Sequence, residues 1–320
     1  MRAIRIHEFG GPEVLKLEET QRPEPAEGQL LVRVYAAGVN PADTYVRSGN
    51  YPIKPELPFT PGTDGAGTVE MIGRGVSKYK PGDRVYIGRS VTGTYAEFAL
   101  TLETQVHRLP EAVSYAQGAG VYVPYATAYY ALHDRAKARG GETLLVHGAS
   151  GGVGIAAVQM GRAMGMTVLG TAGSPEGFEL VMREGAHHAF DHTKHGYQEA
   201  ILAATGGRGV DVVLEMLANV NLAGDMKLIA RDGRIVIIGS RGDVTVTPRE
   251  LMSRRGSVLA FTLWGVTESE AAEIDPALAA GLENGTLRPV VGSELPLSDA
   301  AAAHRQVMAQ RAYGKIVLIP

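Results

Sequence analysis

The chain of 320 residues is 45% hydrophobic and 20% charged and carries a net charge of −3, which is the composition of a globular protein with room for two domains. The small negative charge argues against nucleic acid as the main partner. The sequence has no cysteine, which excludes disulfides, thiolate nucleophiles and cysteine-ligated zinc.

The first segment, Met1–His7, alternates between polar and apolar residues like a strand and lacks the apolar core of a signal peptide. No apolar run in the sequence approaches the roughly 20 residues that a membrane-spanning helix needs. We therefore expect a cytoplasmic protein that does not enter a membrane.

Short alternating runs broken by glycine and proline continue to about Pro110 and predict a β-rich domain. The segment Asn40–Asp43 is typical of a helix start, because asparagine suits the N-cap, proline suits N1 and an acid suits N3. The predicted strands of this domain are Gln29–Ala36, Ala66–Ile72, Arg84–Ile87 and Thr94–Leu100.

From about Tyr122, strand-like runs alternate with helical segments. This order predicts an α/β domain with a doubly wound parallel sheet. The predicted strands are Thr143–Val146, Thr167–Thr171, Ala189–Asp191, Val210–Leu214 and Arg234–Ile238, followed by a last strand, Ser257–Leu263, that is apolar on both faces. An uncovered apolar edge favours pairing with a second copy of the chain, so we expect a homo-oligomer.

Two short predicted strands, Val290–Pro296 and Lys315–Ile319, flank an alanine-rich helix, Ser298–Gln310. We expect these last elements to return to the first domain. The predicted domains are therefore residues 1–122, completed by about 286–320, and residues 123–285.

The segment His147–Gly154 carries four glycines between a predicted strand and an apolar helix, Ile155–Met164. Glycines let the backbone approach a pyrophosphate closely, and the helix N-terminus offers N–H groups and the positive end of its dipole. The segment therefore predicts a dinucleotide site. The alternative is a tight turn whose glycines only allow close packing of helix on strand.

The end of the second strand decides between cofactors. An NAD site usually carries an acid about 20 residues past the glycine turn, where it bonds the ribose hydroxyls. Here the strand ends in Gly173-Ser174-Pro175 without an acid, which leaves room for a 2′-phosphate and favours NADPH. Ser174 is equally an ordinary helix N-cap before a proline at N1. The candidate phosphate partners are Ser174, His187, His188, His192 and His195.

Five segments carry a resemblance to a known family: Phe9–Leu15, Ala37–Tyr45, His147–Gly154, Glu215–Leu222 and Gly239–Gly242. They are similar to the zeta-crystallin-like NADPH:quinone oxidoreductases, a zinc-free branch of the medium-chain dehydrogenases/reductases. The resemblance covers the whole chain. It implies a Rossmann cofactor domain, a β-rich GroES-like catalytic domain, NADPH as cofactor, small quinones as substrates, and a homodimer or homotetramer.

The resemblance also implies which residues contact NADPH. Many relatives have lysine where this chain has Gly177, and tyrosine where it has His192. If His192 binds the 2′-phosphate, NADPH affinity should weaken as pH rises through its unperturbed pKa of about 6.5. Together with Ser174, the expected cofactor contacts are Tyr45, Thr127, Ser150, Gly151, Gly152, Val153, Gly173, His192, Asn221, Ile238, Gly239, Ser240, Arg241, Phe261, Thr262 and Leu263.

Metal-dependent relatives bind zinc through cysteine and a Gly-His-Glu turn. Asn40-Pro41 and Gly62–Gly67 stand at these positions here. Asparagine, aspartate and glycine do not form the tetrahedral nitrogen and sulfur site that zinc prefers. We therefore predict no catalytic metal.

Without a metal or a thiolate, the protein supplies orientation and desolvation, and NADPH supplies the reducing equivalents. One hydrogen-bond donor to a quinone oxygen then suffices, and the candidates are Tyr45 and, behind it, Asn40. The alternatives are that Asn40 and Asp43 cap a helix and that Tyr45 packs in a core. Tyr51 and Tyr125 are further candidates to line the same pocket.

Two other functions remain open at this point. The same scaffold serves reductases of activated alkenes such as enals, enones and enoyl thioesters, and a fold does not decide a reaction. Zeta-crystallin-like proteins also include non-catalytic NADPH-binding and RNA-binding members. The slightly acidic charge and the lack of interleaved aromatic and basic residues weigh against RNA.

Overall fold

A computed structural model describes residues 1–52, 54–309 and 312–320 of the chain. The first of two compact units contains Met1–Val123, Pro289–Ala309 and Gly314–Pro320, and the second contains Pro124–Arg288 together with Ala312 and Tyr313. None of the described helices combines the length and the apolar character that a membrane crossing requires.

The strands, in chain order, are β1 (Arg2–Arg5), β2 (Lys16–Glu19), β3 (Gln29–Val39), β4 (Asp64–Ile72), β5 (Arg84–Ile87), β6 (Phe98–Leu102), β7 (Val106–Arg108), β8 (Thr143–Val146), β9 (Thr167–Ala172), β10 (His188–Asp191), β11 (Val210–Glu215), β12 (Ile229–Ile237), β13 (Ser257–Ala260), β14 (Val291–Pro296) and β15 (Lys315–Ile319). The α-helices are α1 (Pro41–Arg47), α2 (Tyr115–Gly118), α3 (Thr127–Tyr130), α4 (Gly152–Ala163), α5 (Pro175–Arg183), α6 (Tyr197–Ala204), α7 (Ala218–Leu228), α8 (Pro248–Arg254), α9 (Glu268–Glu283) and α10 (Ala300–Met308). Short 3₁₀ turns cover Pro12–Val14, Glu103–Gln105, Leu263–Gly265 and Leu297–Asp299, and π turns cover Tyr122–Ala126 and Ala131–Arg135.

The first unit is built on a mostly antiparallel sheet in the order β14-β15-β3-β4-β5-β7, with β6 paired to β3. Strand β3 organises this sheet, because it pairs with β4, β6 and β15. Its buried Val32 and Val34 pack with Val85 and Ile87 of β5 in one core. The unit is therefore the expected β-rich domain.

Two strands of this sheet differ from their predicted bounds. Strand β3 continues past Ala36 to Val39, because Ala37–Val39 pair with Ile316–Leu318 of β15. The prediction of a strand from Thr94 was wrong at its start, since β6 begins at Phe98. The N–H groups of Thr94 and Tyr95 instead donate to the carbonyls of Gly62 and Pro61, which holds these residues in a loop.

The second unit contains a six-stranded parallel sheet in the order β10-β9-β8-β11-β12-β13. The chain starts in the middle with β8, adds β9 and β10 on one side, and then adds β11, β12 and β13 on the other. The strand order reverses between β8 and β11, and dinucleotides bind beyond the carboxyl ends of strands at such a reversal. The predicted fold class, a doubly wound parallel sheet with a second, β-rich domain, is confirmed.

The last strand of this sheet, β13, is an edge strand but a shorter one than predicted. It ends at Ala260, and the chain then forms the 3₁₀ turn Leu263–Gly265. Ser257 and Ala260 are exposed and Val258 and Leu259 are half-buried, so no residue of this edge strand is fully buried. The prediction for Phe261–Leu263 was therefore wrong, because the chain leaves the sheet before them.

The helix predicted for Ser298–Gln310 is also shorter, since α10 covers Ala300–Met308. The 3₁₀ turn Leu297–Asp299 occupies the positions before it. Gln310 lies outside the described residues.

Candidate active site

The glycine turn after β8 has the geometry of a phosphate-binding turn. Gly148 has a φ of +57°, which favours glycine, and its N–H donates to Thr171 Oγ1 at 3.1 Å. A Cβ on Gly154 would lie 2.4 Å from the Gly148 carbonyl oxygen. Close packing therefore explains Gly154. Gly151 is the N-cap of α4, and the first N–H groups of a helix have no acceptor within it. The turn thus serves helix packing and still presents donors to an anion.

The expected cofactor residues of the second unit follow the ends of its parallel strands. Because parallel strands end at one edge of a sheet, these residues share that edge. The structure places Ser150–Val153 after β8, Gly173 and Ser174 after β9, His192 after β10, Asn221 in the helix after β11, Ile238–Arg241 after β12, and Phe261–Leu263 after β13. Thr127 is instead buried at the start of α3.

The adenosine end of this edge has no carboxylate at the tip of β9. Ser174 Oγ accepts the N–H of Gly177 at 3.1 Å, so Ser174 is the N-cap of α5. The His192 ring lies over Gly173, since a Cβ on that glycine would meet the ring at 3.0 Å. Asp191 Oδ1 accepts hydrogen bonds from the backbone N–H and from the hydroxyl of Thr193. A 2′-phosphate would thus meet a hydroxyl and an imidazole there, which fits NADPH.

Partial burial and the nearby charge of His147 lower the pKa of His192 below its usual 6.5, against the opposite influence of Asp191. The predicted loss of NADPH affinity with rising pH should therefore begin below pH 6.5 and not at it. The cation is the form that attracts a phosphate, so the sign of the prediction is unchanged.

We expect NADPH affinity measured by titration from pH 5 to 8 to fall more steeply in the unmodified protein than in His192→Gln. His195→Gln is the matched control, because His195 belongs to the same segment and its ring is not the one that lies over Gly173. The 2′-phosphate itself titrates near pH 6, but equally in all three proteins. Parallel profiles for all three would remove His192 from the phosphate site.

The start of α7 ties together two strand-end loops. Glu215 Oε1 accepts the N–H of Leu217 and, at 3.1 Å, the side-chain amide of Asn221. Asn219 Oδ1 accepts the N–H of Arg241 at 2.8 Å. Asn221 and the loop after β12 are therefore fixed against the same turn of helix.

A buried charged cluster of His147, Glu215 and Asp225 lies at the strand-order reversal. His147 Nε2 is 2.8 Å from Asp225 Oδ1 and 3.6 Å from Glu215 Oε2. Burial by itself lowers the pKa of His147, but the charge and hydrogen bond of Asp225 and the charge of Glu215 together raise that pKa to about 8. Ligand atoms of the three lie within 4.8 Å of one another, a spacing that a metal ion can bridge. In this structure His147 and Asp225 are bonded directly.

The first unit holds a second buried cluster around Lys315. Lys315 Nζ donates to Asn40 Oδ1 at 2.6 Å and to Asp64 Oδ2 at 2.8 Å, and Asn40 Nδ2 donates to the same Asp64 oxygen at 3.0 Å. Asp64 Oδ1 accepts the N–H of Val123 at 2.9 Å. Every polar side chain of this closed triangle is buried.

Asn40 is also the N-cap of α1, with Asp43 completing a capping box. Burial raises the pKa of Asp43 to about 6. The hydrogen bond that Asp43 accepts from the Asn40 backbone N–H at 2.8 Å acts in the opposite direction and lowers the pKa. The helix-cap alternative for both residues therefore describes the structure.

The three tyrosines that the sequence suggested for the substrate pocket differ in their surroundings. Tyr45 is half-buried on α1. Tyr125 is buried, and its hydroxyl donates to Gln159 Oε1 at 3.0 Å inside the second unit. The suggestion that Tyr125 lines the substrate pocket is therefore replaced by a packing role. Tyr51 is half-buried in the loop after α1.

Sequence reasoning did not predict that Lys315, Glu215 and Asp225 lie in buried charged clusters. The local signals for the cluster at His147 are that this residue directly follows the predicted strand Thr143–Val146 and that Glu215 directly follows the predicted strand Val210–Leu214. Lys315 has none, because its partners are distant in the chain.

Two family models match the chain: the alcohol dehydrogenase GroES-like domain over residues 26–130 and the zinc-binding dehydrogenase over residues 152–279. The quinone oxidoreductase of Rattus norvegicus is 48% identical over 321 residues, which cover 100% of this chain and 98% of that protein.

Two solved structures share the fold across the whole chain. The Escherichia coli quinone oxidoreductase complexed with NADPH has a TM-score of 0.89 and 32% identity, with 100% of both chains covered. The CurK enoyl reductase has a TM-score of 0.90 and 27% identity, with 99% of this chain and 98% of that chain covered.

A parallel sheet with a glycine turn, together with a GroES-like unit, defines the class of medium-chain dehydrogenases/reductases. Within that class, the chain belongs to the zeta-crystallin-like quinone oxidoreductase family. The resemblance found in the sequence is confirmed.

Proposed function

We propose that this chain is an NADPH-dependent enzyme that reduces small quinones. The observation that carries the proposal is full-length identity of 48% to a quinone oxidoreductase. The acid-free adenosine end, with Ser174 and His192 in place of a carboxylate, supports NADPH over NADH. The NADPH complex of the Escherichia coli relative supports the same cofactor.

In this proposal the predicted Rossmann domain, residues 123–285, holds NADPH, and the predicted GroES-like domain, residues 1–122 completed by about 286–320, carries the donor to the quinone. The N-terminus of α4 binds the pyrophosphate, and Ser174 and His192 bind the 2′-phosphate. The ribose and nicotinamide contact Thr127, Asn221, Ile238–Arg241 and Phe261–Leu263. NADPH supplies the reducing equivalents when bound. Tyr45, with Asn40 behind it, donates a hydrogen bond to the quinone oxygen.

Turnover with 9,10-phenanthrenequinone and with an enone, each with NADPH and with NADH, tests the proposal. We expect NADPH to bind more tightly and the quinone to react faster. Equal or tighter binding of NADH would contradict the cofactor assignment. NADPH binding without turnover of either substrate would indicate a non-catalytic protein.

Reduction of activated alkenes is the second candidate, because the CurK enoyl reductase shares the fold at a TM-score of 0.90. Faster turnover of the enone than of the quinone in the same assay would establish it.

The proposed reaction needs no metal. At the positions where metal-dependent relatives bind zinc, the Lys315 ammonium already lies against Asn40 and Asp64 and supplies a positive charge. We expect full activity after exhaustive chelation and no stoichiometric zinc by metal analysis. Loss of activity with EDTA that zinc restores would contradict this.

We also propose that the chain is a homodimer or homotetramer. The support is the position of β13 at one edge of the parallel sheet that the described residues form, since an edge strand favours pairing with a second copy. Sedimentation at several concentrations should show a species larger than a monomer, and a concentration-independent monomer would contradict the proposal. The cytoplasmic location stays a prediction.

A further inference from the structure

The buried cluster of His147, Glu215 and Asp225 contains two oxygen atoms that ordinary structural roles do not explain. Among the described residues, no partner hydrogen-bonds Glu215 Oε2 or Asp225 Oδ2, although both side chains are fully buried. An unpaired buried carboxylate oxygen is costly. Two neighbouring carboxyls remove that cost when they share one proton, because like charges so close do not both ionise.

The other oxygen of Glu215 points toward the expected cofactor edge. Glu215 Oε1 accepts from Leu217 N–H and from Asn221 Nδ2, and no side chain among the described residues caps the N-terminus of α7 in the usual way. The backbone carbonyl of Glu215 also accepts the N–H of Ile238 at 2.8 Å. One residue thus holds both Asn221 and the loop after β12.

The cluster is also joined to the glycine turn. His147 Nδ1 lies 3.4 Å from Thr171 Oγ1, which accepts the N–H of Gly148 at 3.1 Å. The pyrophosphate side and the Asn221 side of the site are therefore connected through buried groups of a few adjoining strands.

We propose that Glu215 is a positioning residue that fixes Asn221 and the loop after β12 for NADPH. Glu215 is itself fixed by His147 and by a proton that it shares with Asp225. The inference rests on the proposed function, because it takes Asn221 to be a cofactor contact. Glu215 does not itself touch NADPH in this account, so its effect on binding passes through Asn221.

A double-mutant cycle on NADPH affinity tests the proposal. Glu215→Met removes both acceptor oxygens and keeps the volume, and it should weaken NADPH binding by about 5- to 30-fold, as Asn221→Ala should. In the Asn221→Ala background, Glu215→Met should add less than about 2-fold, whereas independent sites would multiply their effects. Glu215→Gln keeps one acceptor and mimics the protonated acid, so it should stay within about 3-fold of the unmodified protein.

The outcomes separate this inference from the proposed function. Multiplying effects, or unchanged affinity in Glu215→Met, would overturn the positioning role while quinone turnover stands. Unchanged affinity in Asn221→Ala would also overturn it. If the unmodified protein binds no NADPH, the proposed function and the inference fail together.

A second measurement does not depend on the folding of Glu215→Met. Burial, opposed by the His147 cation and aided by Asp225, raises the pKa of Glu215 above its usual range. The groups that face it are His147 after β8, Asp225 on α7 and Tyr197 on α6; burial and the two acids also raise the pKa of Tyr197, so it stays neutral.

Rising pH should therefore remove the shared proton and leave two like charges side by side. With His192→Gln in both proteins and the pH kept between 6 and 7.5, below the pKa of about 8 of His147, NADPH affinity should fall several-fold when residue 215 is glutamate and change much less in Glu215→Gln. Equal pH profiles for the two proteins would overturn the proposal.

Discussion

Lys315→Met should lower the free energy of unfolding by about 3–5 kcal/mol, because it leaves a buried charge without its partner. The ammonium lies 2.8 Å from Asp64 and 2.6 Å from Asn40, and only 5% of the lysine side chain is exposed. Without it, the Asp64 carboxylate keeps two neutral donors, the Asn40 amide and the Val123 N–H. Urea unfolding followed by circular dichroism measures the loss.

Arg2→Met is the matched control for this prediction. Arg2 pairs with Glu97 at 2.8 Å in the same unit, but 53% of its side chain is exposed. Exposed pairs contribute less than about 1 kcal/mol. Lys315→Met combined with Asp64→Asn should recover part of the loss, since the uncompensated charge is then gone. A Lys315→Met protein no less stable than Arg2→Met would show that the triangle contributes little.

Tyr45→Phe should lower kcat/KM for a weakly electrophilic quinone by roughly 10- to 150-fold, which corresponds to a hydrogen bond of about 1.5–3 kcal/mol to developing negative charge. The Tyr45 side chain is half-buried on α1, so part of it stays accessible to a substrate. NADPH affinity should change little, because the ring and its packing remain. Steady-state kinetics with two quinones of different electrophilicity measures the effect.

Tyr35→Phe is the control, because Tyr35 is an exposed tyrosine of β3 in the same unit. It should leave kcat/KM unchanged. If Tyr45→Phe behaves like Tyr35→Phe on the weaker quinone, Tyr45 is a packing residue, and catalysis rests on proximity with water as the proton source.

Local patterns in the sequence predicted the features that depend on few neighbouring residues. The structure confirms three such features at the positions that their sequence motifs predicted: the glycine turn before α4, the capping box at Asn40 and the N-cap at Ser174. Each needs only the residues of one turn, so its physical cause is already present in the local sequence. The alternation of strands and helices likewise predicted the doubly wound sheet, because helices must cover both faces of a parallel sheet.

Strand ends were predicted less well wherever a distant partner decides them. Strand β3 continues to Val39 because β15 pairs with it. Strand β13 stops at Ala260 although the apolar run continues to Leu263, because hydrophobicity alone does not say where a neighbour's ladder of hydrogen bonds ends.

The two buried charged clusters were decided by the tertiary structure alone. Lys315 and Asp64 are 251 positions apart, and His147 and Asp225 are 78 positions apart. Charged residues usually lie on the protein surface, so from the sequence alone each of these four residues is predicted to be exposed. Only the register of β15 on β3, and the reversal of strand order between β8 and β11, bring opposite charges close enough to compensate for their removal from water.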